Sequence, residues 1–227
     1  MDSRFVIGGG RYIHLARSQS QAFIYSWTMI TPMVARLVRD PFDREGWFLE
    51  LKWDGFRAIA ERDHAGHISL YSRRHNEFNK RFPPIVDALA KLKRPFILAG
   101  EIVALDEHGH PRFEWLVNRG PQKGTLIYYL FDLLMLHGKD LRQLPLVKRK
   151  QRLARLVTGH PRLFAVEHIA NDGVAMFAGA LALGLEGIVA KDSKSPHLEG
   201  PLQTWHWQKI KNKDYKRQGK VEFRQSR

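Results

Sequence analysis

The chain has 227 residues, of which 44% are hydrophobic and 26% are charged, so it is long enough to bury a core and is not disordered as a whole. It contains no cysteine, which excludes disulfide frameworks, thiolate zinc sites and cysteine nucleophiles. The formal net charge of +14 indicates a polyanionic partner, and nucleic acid is the first candidate.

Residues 1–28 are predicted to be a peripheral, flexible segment, because they show no sustained apolar periodicity. The three glycines at 8–10 are not followed by Gly-Lys-Ser/Thr, so they indicate a joint rather than a phosphate loop. Met29 and Met33 are alternative start sites. The apolar stretch at 22–30 lacks the features of a signal peptide, and no run reaches the roughly 18 residues of a membrane helix. We therefore expect a cytoplasmic protein with no membrane partner.

From residue 47 onward, strand and helix patterns alternate at short intervals. Alternating or continuous apolar runs bounded by turn residues predict strands, and apolar spacing of three to four residues predicts helices. The predicted strands are 47–52, 56–62, 67–72, 96–106, 125–136, 163–169, 187–192 and 204–211. The predicted helices are 83–93, 113–117, 146–157 and 174–183. Hairpin-like neighbours dominate, which favours an antiparallel α+β domain over a doubly wound parallel sheet.

Two basic stretches carry most of the charge. Residues 139–155 hold seven basic residues against one acid, and residues 209–227 hold eight against two. In the first stretch, the predicted helix 146–157 has an apolar face and a basic face, and we expect Lys148, Arg149, Lys150, Arg152 and Arg155 on a solvated surface. The second stretch has little apolar periodicity, so residues 213–227 are predicted to form an unpacked arm for phosphate backbones.

A lysine stands at the first strand junction, in Lys-Trp-Asp-Gly-Phe-Arg at 52–57. Taken alone, it is most simply an exposed hairpin lysine. The pattern Lys-x-Asp-Gly-x-Arg nevertheless fixes four positions in six, and from average residue usage a chance match in a chain of this size is roughly one in a few hundred. Further motifs follow in order, at 72–76 (SRRHN), 100–106 (GEIVALD), 129–134 (YLFDLL), 186–191 (EGIVAK) and 207–211 (WQKIK), with PMVA at 32–35 upstream.

With these motifs, residues 32–212 resemble the adenylation domain of ATP-dependent DNA ligases, and within that group the ligase domains of bacterial end-joining proteins. The resemblance implies an α+β fold of the covalent nucleotidyltransferase, ATP-grasp-like type over residues 29–212. It implies that Lys52 attacks the α-phosphate of ATP and forms a lysyl-AMP phosphoramidate for DNA strand joining in repair. A lysine is ordinarily protonated at neutral pH, so neighbouring cations or burial are needed, and Lys191, Lys209 and Lys211 suit that task.

The resemblance also implies a role for each motif residue. Asp54 is expected to act in the later joining step, Arg57 at the ribose, and Arg73 at the phosphates of AMP or of the DNA nick. Phe131 is expected to stack on adenine and Glu50 to lie at the adenine edge. The implied ATP-binding set is Glu50, Lys52, Arg57, Arg73, Glu101, Phe131, Lys191, Lys209 and Lys211. Glu101 is expected to contact the ribose or a metal, Glu101 and Glu186 are the expected ligands of Mg²⁺ or Mn²⁺, and Arg73, Lys213, Lys216 and Arg217 are expected to contact DNA.

Complete ligases follow this domain with an OB-fold of about 100 residues, whereas 16 residues follow Lys211 here. The expected partners are therefore nicked or broken duplex DNA and a separate OB-fold or end-joining protein that is needed for full nick sealing. Two alternatives remain open. One is a non-catalytic module that binds ATP or DNA, and the other is an RNA ligase or capping type of nucleotidyltransferase. The histidines, including His108 and His110, show no metal-ligand spacing, and no structural zinc is expected.

Overall fold

The computed structural model describes residues 30–117, 124–200 and 203–217, together with the strands β1 (Phe5–Ile7) and β2 (Arg11–Ile13). The chain divides into two compact units, residues 1–31 and 32–227. In the first unit, β1 and β2 pair in antiparallel fashion. The glycines at 8–10 and most of the expected flexible segment 1–28 lie outside the described residues, so that expectation stays a prediction, as do the boundaries at 28 and 212.

The second unit contains two sheets. The larger sheet has six strands: β5 (Phe56–Arg62), β6 (Ile68–Ser72), β7 (Phe96–Leu105), β8 (Thr125–Leu136), β9 (Lys139–Asp140) and β10 (Leu163–Ala165). Its order is β10-β8-β7-β5-β6, with β9 also pairing with β8. All of these pairs are antiparallel except the parallel pair of β10 with β8.

The smaller sheet has five strands: β3 (Val34–Val38), β4 (Trp47–Leu51), β11 (Ile169–Ala170), β12 (Gly187–Asp192) and β13 (Gln203–Lys211). Its order is β11-β4-β12-β13-β3, and the pair of β13 with β3 is parallel. The antiparallel α+β class is confirmed, because consecutive strands in both sheets are joined mainly as antiparallel neighbours.

Among the described residues, four helices cover the sheets: α1 (Pro83–Ala90), α2 (Phe113–Val117), α3 (Leu146–Val157) and α4 (Gly173–Ala182). The larger sheet packs with α1, α2 and α3 around one apolar core, in which Phe82, Phe96 and Leu153 are buried. A separate cluster under the smaller sheet includes Leu49 and Ile188 and is covered by α4. None of the helices among the described residues has the length and apolar character needed to cross a membrane.

From residue 47 onward the predicted elements match the structure closely except at three places, namely 83–93, β9 and 163–169. Before residue 47, the strands β1, β2 and β3 were not predicted. The run at 163–169 is predicted as one strand, but it divides into β10, which joins the larger sheet, and β11, which joins the smaller one. The short β9 was not predicted, and the helix predicted at 83–93 ends at Ala90. The run 163–169 satisfies a strand pattern throughout, and only tertiary pairing reveals that the chain passes from one sheet to the other inside it.

Glycine is required where the two sheets meet the lysine motif. A Cβ atom at Gly55 would lie 2.2 Å from the carbonyl oxygen of Ile102, and one at Gly187 would lie 2.1 Å from that of Ile210. Gly187 also has a φ of +135°, which other residues rarely adopt. These close approaches fix the turn after Lys52 against β7 and the start of β12 against β13.

Candidate nucleotidyl-transfer site

A cavity of about 290 Å³ lies between the two sheets and receives side chains from both. The larger sheet contributes Arg57, Glu101 and Phe131, and the smaller sheet contributes residues of β3, β4, β12 and β13. The charged lining consists of three carboxylates, Glu50, Glu101 and Glu186, and seven cations, Lys52, Arg57, Arg73, Lys191, Lys209, Lys211 and Arg217. The excess of positive charge in a concave site suits a polyanionic ligand.

Lys52 follows the last residue of β4 and is held at both ends. Its backbone N–H donates to the Gly187 carbonyl at 2.9 Å, and its Nζ lies 2.6 Å from Oε2 of Glu186. The other oxygen of Glu186 lies 3.2 Å from Nζ of Lys211. Burial works against the charged form of Glu186, but Lys52 and Lys211 outweigh it, and the pKa of this carboxyl is lowered. The carboxylate therefore bridges two lysines at one end of the pocket.

Glu101 lies on β7, opposite Arg57 of β5 in the sheet register. Burial, with smaller contributions from the nearby carboxylates Glu186 and Asp54, raises its pKa to about 7 against the opposing charges of Arg57 and Lys52. Glu101 and Glu186, which both line the pocket, thus repel each other, and an arriving cation would relieve that repulsion.

Arg57 is held by groups on two sides of the pocket. Its Nη2 donates to the Met33 carbonyl at 3.3 Å, and its guanidinium carbon lies 4.3 Å from the centroid of the Phe131 ring. Its Nε is buried with no hydrogen-bond partner among the described residues. A buried charged donor without a partner is costly, so this atom indicates that a ligand supplies an acceptor here.

The opposite end of the pocket is aromatic and contains Glu50. The Lys191 ammonium lies 4.4 Å from the ring centroid of Phe131 and 4.3 Å from that of Trp207, and it also lies 2.5 Å from Oε2 of Glu50. Burial lowers the pKa of Lys191 to about 8 although Glu50 opposes the change. A flat, apolar wall beside a carboxylate is a suitable site for a nucleobase.

Helix α3 corrects the expectation of a solvated basic face. Lys148, Arg152 and Arg155 are exposed as expected, but Arg149 and Lys150 are buried. Arg149 pairs with Asp132 through its Nε at 2.7 Å and its Nη2 at 3.1 Å. Lys150 reaches Glu50 in the pocket wall. Neither residue was predicted to act at the site, although both occur where a buried stripe through α3 would place them.

The C-terminal segment also differs from its predicted form. Tyr215 donates its O–H to Oδ2 of Asp54 at 2.9 Å, and the Arg217 guanidinium pairs with the same carboxylate and lies 4.2 Å from the centroid of Phe113. Asp54 is consequently buried, with a relative exposure of 2%. The expectation of an unpacked tail is therefore wrong for Tyr215 and Arg217, whereas Lys213 and Lys216 are exposed and residues 218–227 lie outside the described part of the chain.

Comparison with known proteins identifies the family. Residues 32–211 match the family model described as the ATP dependent DNA ligase domain. The chain belongs to the ATP-dependent DNA ligase family. The resemblance drawn from the motifs is therefore confirmed, and the match covers both sheets and every motif that carried it.

The similar curated proteins include a bacterial ligase-like prophage protein and a bacterial end-joining enzyme. The chain is 33% identical over 189 residues to the SPbeta prophage-derived DNA ligase-like protein LigB of Bacillus subtilis, covering 82% of this chain and 68% of that protein. It is 37% identical over 183 residues to the multifunctional non-homologous end joining protein LigD of Pseudomonas aeruginosa, covering 78% of this chain but only 21% of LigD.

Among solved structures, the ligase domain is similar to mycobacterial DNA ligase D complexed with ATP and MES, with a TM-score of 0.71 and 29% identity over 82% of this chain and 62% of that chain. It is also similar to the ligase domain of Mycobacterium tuberculosis LigD, with a TM-score of 0.70 and 30% identity over 80% of this chain and 60% of that chain. The ligase domain thus spans less than two thirds of each of these chains.

The remaining predicted residues of the ligase domain divide into two groups. Arg73, exposed at the end of β6, and Lys209 on β13 both line the pocket. Burial and the cations Lys211, Lys52 and Arg73 lower the pKa of Lys209. Lys213 and Lys216 are exposed and do not line this pocket. The structure therefore brings the nine expected ATP-binding residues together and leaves these two lysines at the surface.

The carboxylates of the ligase domain fit a magnesium ion that arrives with phosphate. Within the described residues, no group of three or more His, Cys, Asp or Glu side chains is arranged to hold a metal ion alone. Mg²⁺ needs no such cage, because it takes one or two carboxylates and completes its shell with water and substrate phosphates. Glu101 and Glu186 line the same pocket, and the raised pKa of Glu101 reflects buried carboxylate charge that a cation would stabilise.

Proposed function

We propose that this ligase domain transfers AMP from ATP to Lys52 and passes it on for DNA strand joining. The observation that carries the proposal is the position of the Lys52 amine, in a pocket where cations outnumber carboxylates by seven to three. The unpartnered Nε of Arg57 adds a donor that awaits an acceptor in the same pocket. The name of the mycobacterial relative, which was solved with ATP, supports the choice of nucleotide.

In the proposed reaction, the Lys52 nitrogen forms a bond to the α-phosphorus as the bond to the leaving pyrophosphate breaks. The amine must first lose its proton and leave its ion pair with Glu186. Lys211 contacts the other oxygen of that carboxylate, so it can keep Glu186 in place while Lys52 moves toward the phosphate. Lys209 and Arg73 supply positive charge for the phosphates as charge develops on them.

The other expected binding roles are part of the same proposal. Arg57, through its free Nε, is proposed to bind the ribose, and Phe131 with Glu50 to bind adenine. Because Arg57 and Lys191 already contact the Phe131 ring, stacking of adenine on this ring requires one of these cations to move aside. Glu101 and Glu186 are proposed to hold Mg²⁺ or Mn²⁺, which would neutralise charge on the phosphates.

The proposed DNA substrate is a nicked or broken duplex, in keeping with the end-joining names of LigD relatives. Arg73, Lys213, Lys216 and Arg217 are proposed to contact its phosphates. Full nick sealing is proposed to require an OB-fold or end-joining partner. Strand joining is proposed to take place in the bacterial cytoplasm, where chromosomal breaks occur.

Incubation with α-labelled ATP and Mg²⁺, followed by denaturing electrophoresis, tests the first step. The wild-type chain should acquire a label that Lys52→Ala abolishes, whereas Lys148→Ala, a change at an exposed lysine of α3, should retain it. An unlabelled wild-type chain would refute the proposed enzymatic activity and favour the alternative of a non-catalytic module that binds ATP or DNA. Label from GTP instead of ATP would indicate a capping type of activity.

A second assay with a 5′-phosphorylated nicked duplex tests strand joining. We expect sealing of DNA when a separately supplied OB-fold domain is added, and also when the nick is already adenylated. Sealing of nicked RNA in preference to DNA would instead assign the chain to RNA ligation. Sealing of unmodified DNA nicks by the chain alone would contradict the proposed need for a partner.

A further inference from the structure

Lys150 lies on α3, outside all the motifs that carry the ligase resemblance, and its relative exposure is 6%. Its Nζ donates to Oε1 of Glu50 at 2.5 Å and to the Val166 carbonyl at 2.8 Å. Both acceptors line the nucleotide pocket, whereas Lys150 lines a neighbouring cavity of about 650 Å³. The ammonium group therefore holds two parts of the pocket wall from behind.

The charges around Glu50 show why this contact matters. Burial of the carboxylate favours its neutral form, but Lys150 and Lys191 together outweigh burial, so the pKa of Glu50 is lowered and the group is ionised. Of these two lysines, Lys191 lies inside the pocket against aromatic rings, where a ligand would compete with it. Lys150 is fixed by the Val166 carbonyl and does not face this competition.

The two groups that Lys150 holds are both hydrogen-bond acceptors at the aromatic end of the pocket. The amino group of adenine is a donor and matches such a pair. Guanine presents a carbonyl oxygen at the corresponding position. This oxygen is itself an acceptor, so it cannot hydrogen-bond to Glu50 or to the Val166 carbonyl, and all three groups would lose their hydrogen bonds to water. A site of this kind discriminates strongly, because the wrong ligand leaves buried polar groups unpaired.

We propose that Lys150 is a positioning residue, which fixes Glu50 and the Val166 carbonyl as acceptors for the adenine amino group and thereby sets the preference for ATP over GTP. The inference rests on the proposed function for the identity of the pocket's ligand. It concerns binding alone, so it can be tested without the chemical step.

The test compares equilibrium dissociation constants for ATP and GTP in the wild type and in Lys150→Met, measured by titration calorimetry without divalent metal so that AMP is not transferred to Lys52. We expect the variant to lose at least about tenfold in its preference for ATP, equivalent to about 1.4 kcal/mol. Without Lys150 the Glu50 side chain can turn away or take up a proton, and in either case it is no longer a fixed, ionised acceptor for the adenine amino group. The loss should therefore grow as the pH is lowered, because removal of one cation raises the pKa of Glu50.

Two further variants separate positioning from a general structural effect. Lys148→Met removes the same charge from an exposed position on the same helix and should keep the wild-type ratio of the two constants. Lys150→Arg, which retains a cation and several donors, should recover part of the preference. If Lys150→Met does not fold, as judged by circular dichroism, Lys150→Gln replaces it and should also show a reduced ratio.

A folded Lys150→Met or Lys150→Gln with the wild-type ratio would overturn the inference, as would a wild-type chain that binds ATP and GTP equally. These outcomes are distinct from failure of the proposed function. In that case, the labelling assay finds no AMP on Lys52, whatever the binding constants are.

Discussion

Replacing Arg149 should be among the most destabilising single changes in the chain. Its side chain and that of Asp132 are both fully buried, with a side-chain exposure of 0% each. Besides the two bonds to Asp132, the guanidinium donates to the Leu144 carbonyl and, at 3.0 Å, to the Ser195 carbonyl. Arg149→Met would leave the carboxylate and two carbonyls without these donors.

Removing one partner of a buried ion pair typically costs about 3–5 kcal/mol, because the other charge stays buried without compensation. For a domain of this size, about 2–4 °C of melting temperature is lost per kcal/mol, so we expect a fall of about 6–20 °C. Urea unfolding followed by circular dichroism measures the free energy directly. Arg142→Met provides the control, because Arg142 pairs with Asp140 near the surface and such pairs contribute about 0–1 kcal/mol.

The same pair should give the stability a defined pH dependence. Burial favours the neutral form of Asp132, but His197 and Arg149 outweigh it and hold the pKa of this carboxyl well below its ordinary value. Its contribution is therefore complete above the unfolded-state pKa of about 3.9 and is lost as the pH falls below it. Loss of less than about 1 kcal/mol in Arg149→Met at neutral pH would refute the reasoning, because it would mean that the buried carboxylate needs no cation.

Three further outcomes are expected. Arg217→Ala should slow nick sealing more than AMP transfer, because it uncovers Asp54 while leaving the contacts of Lys52 in place; equal effects on both steps, measured with labelled ATP and a nicked duplex, would contradict this. Because the pKa of Glu101 is raised to about 7, protons compete with Mg²⁺ for this carboxylate, so the Mg²⁺ concentration needed for half-maximal AMP transfer should fall as the pH rises through that value, and Glu101→Gln should remove this pH dependence. For DNA binding, the double change Lys213→Ala and Lys216→Ala should reduce the slope of log affinity against log salt concentration by about 0.9 for each DNA phosphate that the protein no longer neutralises. An unchanged slope would show that these lysines do not contact DNA.

Much of the site was predictable because the family motifs coincide with strand ends. The pattern around Lys52 predicts a strand, a turn and a second strand, and the structure has β4, a turn at Gly55 and β5. The nine residues expected to bind ATP all line one pocket, although they come from strands far apart in the chain. The order of the family motifs predicted that these residues share one site. Neither apolar periodicity nor sequence spacing reveals which strand ends face one another across two sheets.

The buried cations of α3 were missed for a physical reason. Lysine and arginine are almost never fully buried unless they are paired, so a basic helix face is ordinarily read as solvated. The positions of Leu146, Leu153 and Val157 nevertheless define one stripe along the helix, and residues 149 and 150 fill the gap in it at the spacing of one turn. Two charges inside an otherwise apolar stripe are a signal that the fold supplies buried acids. Their identity, Asp132 and Glu50, depends on contacts that only the tertiary structure provides.

The contact of Tyr215 and Arg217 with Asp54 has a practical consequence for how the protein is handled. Asp54 is two residues from Lys52, so the segment that follows β13 contacts the same turn that holds Lys52. A purification tag or fused fluorescent protein attached soon after Arg217 would compete with this contact through its bulk and tether. Kinetic comparisons between preparations are therefore best made with fusions removed from this end, since otherwise a change at the carboxyl terminus would be mistaken for a change in the active site.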